Sequence, residues 1–285
     1  MANKNLIIGG YTNYGINQLK PWVLSALEVA DDNTEVVLVA GNTTKETVEW
    51  LMEKGVTVIP MLQVQNVPVH VLRFLSIYDF LHNNPNKYKF VVTTDVKDVY
   101  FQADPFDLIN FMWEQPPNYK LVIATEGLRY KDEPWGNENL MQAYGPYVYE
   151  KFKNNEIYNV GTFGGEYEYV KDMVFHIFTN AINRPIPICD QAVFNVLINT
   201  QPFEDIIYPS HDWACEAGTV ADPTKIDGFR PNLNCAEPTV KDGLIYYEDE
   251  LFPIVHQYDR VPEWKKFVQQ KYGQEDESQL FVYRT

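Results

Sequence analysis

The segment Lys89-Phe90-Val91-Val92-Thr93-Thr94-Asp95-Val96-Lys97-Asp98-Val99-Tyr100-Phe101 carries an apolar run straight into two carboxylates three residues apart. Lys89 to Thr94, rich in β-branched and aromatic side chains, reads as a buried strand. In open α/β sheets the C-terminal ends of the strands are where ligands sit. A chain that turns after its last buried residue brings positions i and i+3 to one side. Two hard carboxylate oxygens at one point suit Mg2+ or Mn2+, with phosphate oxygens completing the shell. The plain alternative is a turn carrying solvated acids.

Upstream of this strand the pattern alternates. Leu6 to Gly9 is a strand candidate closing on a Gly9-Gly10 turn, and Leu19, Trp22, Val23, Ala26, Leu27 and Ala30 recur at helical spacing. Glu35 to Ala40 is a second strand. Thr44 to Lys54 reads as a helix stopped by Gly55, Val56 to Met61 as a third strand, and Val71, Phe74, Leu75, Tyr78 and Leu81 as the stripe of another helix. Strands alternating with helices build a mainly parallel sheet flanked by helices, the α/β class.

Downstream, from about residue 105, Pro105, Pro116, Pro117, Pro134 and Pro146 interrupt the sequence, and only Leu121 to Ala124 reads clearly as a strand. Tyr158 to Gly165 is a Gly-rich strand or turn. Val170 to Ile182 and Asp190 to Ile198 are helical, and the last ninety residues are loop-rich. With no internal repeat or flexible linker, one domain with two lobes is expected: about 1–104, about 105–270 and a peripheral tail at 271–285.

The chain has 285 residues, a formal net charge of −16 and 14% aromatic residues. The length allows one large α/β domain or two small ones, and the aromatic content argues against extensive disorder. The charge disfavours nucleic acid and anionic membrane surfaces as partners. A phosphorylated ligand then requires a local device such as a metal ion, a helix N-terminus or placed basic residues. Cys189, Cys215 and Cys235 are widely spaced and show no zinc pattern, and no stretch has the length of a membrane span or signal core. A cytoplasmic protein consisting of a lone catalytic domain without an anchor is the expectation.

The passage Thr94 to Phe101, followed by Asp104-Pro105-Phe106, resembles the metal-binding motif of GT-A fold glycosyltransferases, in the DxxD variant of their DxD. Families of this kind include the glycosyltransferase domain of collagen lysyl hydroxylases and small transferases of large algal DNA viruses. Further landmarks follow in the family's order over roughly residues 5 to 260. Asn159-Val160-Gly161-Thr162-Phe163-Gly164-Gly165 resembles the segment near the donor sugar, with Val160 in place of a small hydroxyl residue. Asp190-Gln191 resembles the pair that opens a helix beside the reaction centre. His256, in Ile254-Val255-His256-Gln257-Tyr258, resembles the late histidine that joins the two acids on the metal. The Gly-x-x-Lys-Pro-Trp tail of some relatives is replaced by Gln257-Tyr258-Asp259-Arg260.

The resemblance implies a GT-A, Rossmann-like domain with a loop-rich acceptor lobe. It would use Mn2+ or Mg2+ on Asp95, Asp98 and His256 to transfer a sugar from a nucleoside-diphosphate donor, with UDP expected, to a carbohydrate or glycoprotein acceptor. The chemistry has its own requirements. Negative charge grows on the departing diphosphate and a bound cation stabilises it. Histidine ligation needs a neutral ring, so binding weakens as pH falls through the histidine range. A carboxylate base is the second need. Asp190 is the first candidate, its alternative being a plain helix cap, and Glu166, Asp212 and Glu126 follow.

Nucleotide-sugar recognition is expected at Gly10, Tyr11 and Thr12, where a backbone can approach closely, and at Thr94, Asp95, Asn159 and Gly161. Tyr11 and Tyr14 could stack on a base or simply pack. Arg73 could pair with the diphosphate or with Asp95. The segment His211-Asp212-Trp213-Ala214-Cys215-Glu216, with Trp135 and Tyr130, offers aromatic and carboxylate groups suited to sugar rings and hydroxyls and is assigned to the acceptor, with Asp212 and Trp213 as its binding residues. A phosphatase with an aspartyl nucleophile is disfavoured because the acids follow the fourth strand. A nucleotidyltransferase is disfavoured because no basic Gly-rich loop follows Gly9-Gly10. A non-catalytic binding protein of the same fold stays open.

Overall fold

The computed structural model describes residues 4–116 and 118–274. In chain order the strands are β1 (Lys4–Tyr11), β2 (Thr34–Ala40), β3 (Thr57–Pro60), β4 (Tyr88–Thr94), β5 (Val99–Phe101), β6 (Leu121–Arg129), β7 (Glu156–Glu166), β8 (Ile207–Ser210), β9 (Ala214–Glu216), β10 (Thr239–Lys241), β11 (Leu244–Tyr247), β12 (Glu250–Leu251) and β13 (Ile254–His256). The helices are α1 (Ile16–Val29), α2 (Lys45–Glu53), α3 (Val69–His82), α4 (Phe106–Glu114), α5 (Pro134–Phe152), α6 (Tyr167–Ala181), α7 (Asp190–Ile198), α8 (Ala217–Val220), α9 (Ile226–Phe229) and α10 (Pro262–Tyr272).

Seven strands form one sheet in the order β3-β2-β1-β4-β7-β6-β8. β7 runs antiparallel to both its neighbours, and the other pairings are parallel. Alternate side chains of each strand go to opposite faces. Ile7, Leu38, Phe90 and Val92 meet Trp22, Val23 and Ala26 of α1 and Ile109 and Met112 of α4. Leu6, Ile8, Val37, Val39 and Val91 meet Phe74, Ile77 and Leu81 of α3 and Val170, Val174 and Ile177 of α6. Two apolar layers thus enclose the sheet, an architecture compatible with a Rossmann-like fold. Strand order reverses between β1 and β4, and at such a switch point a crevice opens beyond the strand ends.

Several sequence expectations change. Gly9 and Gly10 do not turn the chain but continue β1 to Tyr11. A Cβ on Gly9 would lie 2.5 Å from Val96 Cγ2, and one on Gly10 2.9 Å from Arg73 Cβ. The pair is small because the segment after β4 and helix α3 press against the strand end. The Pro-punctuated region is not mainly loop. Asp104 Oδ1 accepts the Phe106 amide at 2.8 Å as α4 begins, and Pro134 occupies the first turn of the 19-residue α5. Proline suits that position, whose N–H has no intrahelical acceptor. Gly145 (φ 81°) and Pro146 then kink α5.

Residues 271–274 are not peripheral: Tyr272 is buried beside Tyr100, and Lys20 Nζ donates to the Gly273 carbonyl at 2.8 Å. The rest of the predicted tail, 275–285, lies outside the described residues. The central sheet draws strands from both sequence halves, so the boundary near residue 104 separates no sheet from another.

Candidate metal centre

A second, three-stranded sheet, β5-β13-β9, assembles the site at the C-terminal end of β4. β4 ends at Thr94, and the Asp95 amide donates to the Gly161 carbonyl of β7 at 2.7 Å. The loop carrying Asp95 and Asp98 enters β5, and antiparallel pairing sets His256 opposite Val99, the residue after Asp98. Parallel pairing with β9 sets His256 opposite Glu216. Register alone therefore gathers residues more than 150 positions apart in sequence.

One ligand atom from each of Asp95, Asp98 and His256 lies within 4.8 Å of the others. His256 Nε2 stands 3.5 Å from Asp95 Oδ2 and 3.7 Å from Asp98 Oδ1. Its Nδ1 is 2.6 Å from Glu216 Oε2. The ring is 2% exposed, and Nε2 is a buried polar atom with no hydrogen-bond partner. A buried nitrogen without a partner is costly unless something fills its direction. Two carboxylates around it are the complement of a cation. A Cβ on Gly161 would come within 2.7 Å of His256 Cε1 and 2.9 Å of Asp95 Oδ2, so glycine keeps this cradle open. The donor set and the orphaned nitrogen fit a metal ion.

Burial pulls the His256 ring toward the neutral form, but Glu216 and Asp98, with the Glu216 hydrogen bond and Glu126, outweigh it and hold the pKa up at about 9. Protons compete for this nitrogen to higher pH than at an ordinary histidine.

Arg73, from α3, reaches the same centre. Its Nη1 hydrogen-bonds Asp95 Oδ1, and its Nη2 lies 3.5 Å from Asp190 Oδ2. Asp190 opens α7, but Cys189 holds the cap position and no side-chain cap bond is made there. The Asp190 carboxylate, 9% exposed, turns instead toward Arg73 and the cleft. Two hollows meet here. One of about 450 Å³ is lined by Glu126, Trp135, Asn159, Asp190, Gln191 and His256 among others. One of about 180 Å³ runs along Gly10, Tyr11, Thr12, Tyr14, Lys97 and Asp98. His70, Arg73 and Asp95 line both. A separate hollow of about 490 Å³, between the first turns of α1 and α2, includes neither metal-centre acid.

Deep in the larger hollow sits Glu126, at the far end of β6. Its Oε1 accepts from Gln191 Nε2 at 2.7 Å and Asn159 Nδ2 at 2.9 Å, and Oε2 accepts from Thr219 Oγ1 at 3.3 Å. Burial, then repulsion from Glu216, pushes its pKa up to about 7 despite those donors. Asn159 also accepts the Gly161 amide at 2.7 Å, which ties the glycine cradle to this network.

The remaining sequence candidates divide: Tyr11, Thr12 and Trp135 line the hollows, and the others lie away from them. Thr94 is buried, and its hydroxyl accepts from Trp22 Nε1 at 2.8 Å, away from the hollows. Tyr11 is 1% exposed, its ring parallel to that of Tyr14 and its hydroxyl on Thr43. Thr12 accepts the Asn42 amide. Glu166 pairs in register with Phe90 at the opposite end of β4 and salt-bridges Lys120, so it is far from Asp95 along the strand. Gly165 and Gly164 pair with Val91 and Val92 in the middle of β4. Trp213 is 1% exposed in the core, its Nε1 donating to the Pro105 carbonyl, and cannot offer a face to an acceptor. Asp212 is engaged with Ser210 in a local turn. Tyr130 is also buried, whereas Trp135 is 52% exposed on the cleft wall.

Glu216 closes the segment assigned to the acceptor and Glu126 is the last of the base candidates, so neither stands out in the sequence. The available signal was a charged residue ending the short apolar run Trp213-Ala214-Cys215, which a buried strand tolerates only with a partner. Neither a protein-family model nor a curated protein matches the chain.

Proposed function

We propose that this chain is a metal-dependent glycosyltransferase that moves a sugar from a nucleoside-diphosphate donor, UDP-linked by expectation, to a hydroxyl of a glycan or glycoconjugate. The observation that carries the proposal is the partnerless buried Nε2 of His256, facing Asp95 and Asp98 where the two hollows meet. Oxygen-rich donors with one imidazole favour Mn2+ or Mg2+. When bound, such a cation supplies charge stabilisation to a diphosphate leaving group.

The residues divide the remaining work. The smaller hollow, along β1, offers a nucleotide site beside Tyr14, and the larger one leaves room for a sugar and its acceptor. Arg73 neutralises Asp95 and Asp190 and presents a planar cation at the junction, suited to an oxyanion. Asp190 is placed to orient a sugar or receive the acceptor proton, since its carboxylate turns toward Arg73 and the larger hollow. Glu126, Asn159 and Gln191 form a polar floor suited to sugar hydroxyls.

A donor-hydrolysis panel of UDP- and GDP-sugars with Mn2+, with Mg2+ and with chelator tests the proposal. Metal-dependent turnover of at least one donor is expected, and none with any metal contradicts it. Asp190→Asn is expected to keep donor affinity while transfer falls by 100-fold or more. Metal-dependent donor binding without turnover in the unsubstituted protein indicates a binding protein instead.

A further inference from the structure

Glu216 is more deeply buried than any proposed ligand, with a side chain that is 0% exposed. A carboxylate there is tolerable only if both oxygens are satisfied. Oε2 faces His256 Nδ1 at 2.6 Å, and Oε1 accepts the Thr162 hydroxyl from β7. Thr162 is itself fully buried and pairs with Thr94 at the end of β4. The three groups form a line from the central sheet to the metal centre, and neither Glu216 oxygen is free to rotate away.

An imidazole has two tautomers, and only the one protonated on Nδ1 leaves a lone pair on Nε2. A carboxylate cannot donate, so Glu216 selects that tautomer and fixes the ring plane through the β9–β13 register. We propose that Glu216 is a positioning residue for metal binding. Anchored by Thr162, it holds His256 with the Nε2 lone pair directed between Asp95 and Asp98, and its charge makes the imidazole a better donor. The inference rests on the metal-centre reading of Asp95, Asp98 and His256. A purely structural Glu216 would hold the strands together and leave cation affinity unchanged.

The test is Mn2+ affinity, measured by calorimetry on the full chain and on Glu216→Gln, with circular dichroism as the check on folding. The substitution keeps the shape and removes the charge, and partners of ligating histidines typically contribute 10–100-fold in affinity. A loss of about 10–100-fold in a folded variant is expected. Equal affinity in the two proteins overturns the proposal. If Glu216→Gln does not fold, Thr162→Val replaces it. There the charge stays but its anchor goes, with a loss of severalfold expected and none overturning the proposal. Nitrogen-15 shifts of His256 in the Mg2+-loaded protein give a second readout. Protonated Nδ1 with unprotonated Nε2 is expected, and the reverse contradicts it. Failure of the unsubstituted chain to bind Mn2+ removes the metal reading itself, an outcome distinct from equal binding by both proteins.

Discussion

His256 and Glu126 are both buried and both titrate away from their usual ranges, for opposite reasons. Around His256 the acids outweigh burial and favour the charged ring. At Glu126 burial and a neighbouring acid disfavour the charged carboxylate, so its pKa of about 7 lies above its ordinary 4.5. For such a group the folded state binds the proton more tightly than the unfolded one. Its stabilising effect is complete below pH 4.5 and is lost as pH rises through 7. Glu126→Gln removes this dependence. Between pH 4.5 and pH 8, its stability relative to the parent is predicted to rise by an amount on the order of 3 kcal/mol. Urea denaturation of both proteins at the two pH values measures this, and parallel behaviour would mean that Glu126 is ordinary. Asp95 and Asp98 were legible in sequence because they adjoin the strand that delivers them. Glu216 was not, because its partner comes from a strand forty residues later and only the register joins them.

Among the elements, the small sheet and α1 hold the loop of Asp95 and Asp98 from behind. Ser25, buried on α1, accepts the Phe101 amide of β5 at 3.0 Å while donating to the Pro21 carbonyl. Ser25→Ala leaves a buried amide without that acceptor and should destabilise the fold by about 1–3 kcal/mol. A shift in the denaturation midpoint measures this, and an unchanged midpoint would show that β5 is held by β13 alone. The first half was readable because each short strand and helix keeps its own periodicity, from Val36–Val39 to the stripe at Val71–Leu81. α4 and α5 were not, since Pro105 and Pro134 look like breaks in a linear reading but stand where helices begin. The continuation of β1 through Gly9 and Gly10 was hidden for a related reason. Glycine marks turns and close approaches alike, and only the packing of Val96 and Arg73 separates the two.

For the whole molecule, a net charge of −16 seemed unsuited to a phosphorylated ligand. The arrangement at the strand ends offers a resolution: Asp95 and Asp98 converge with His256 at the switch point of the sheet, while Arg73 is the basic side chain drawn deepest into the crevice. An acidic surface concentrates divalent cations, and a cation bound in the crevice would present positive charge to a diphosphate that the bare protein repels. None of the helices is long and apolar enough among the described residues to cross a membrane. Under the proposed function, binding of the nucleotide diphosphate runs through a divalent ion on Asp95, Asp98 and His256. The most direct test is a calorimetric titration of UDP into the protein with Mn2+, with chelator, and with Mn2+ in Asp98→Ala. Binding in the first case alone, with the variant still folded, is the predicted result. UDP affinity that survives both chelation and the Asp98 substitution would contradict it.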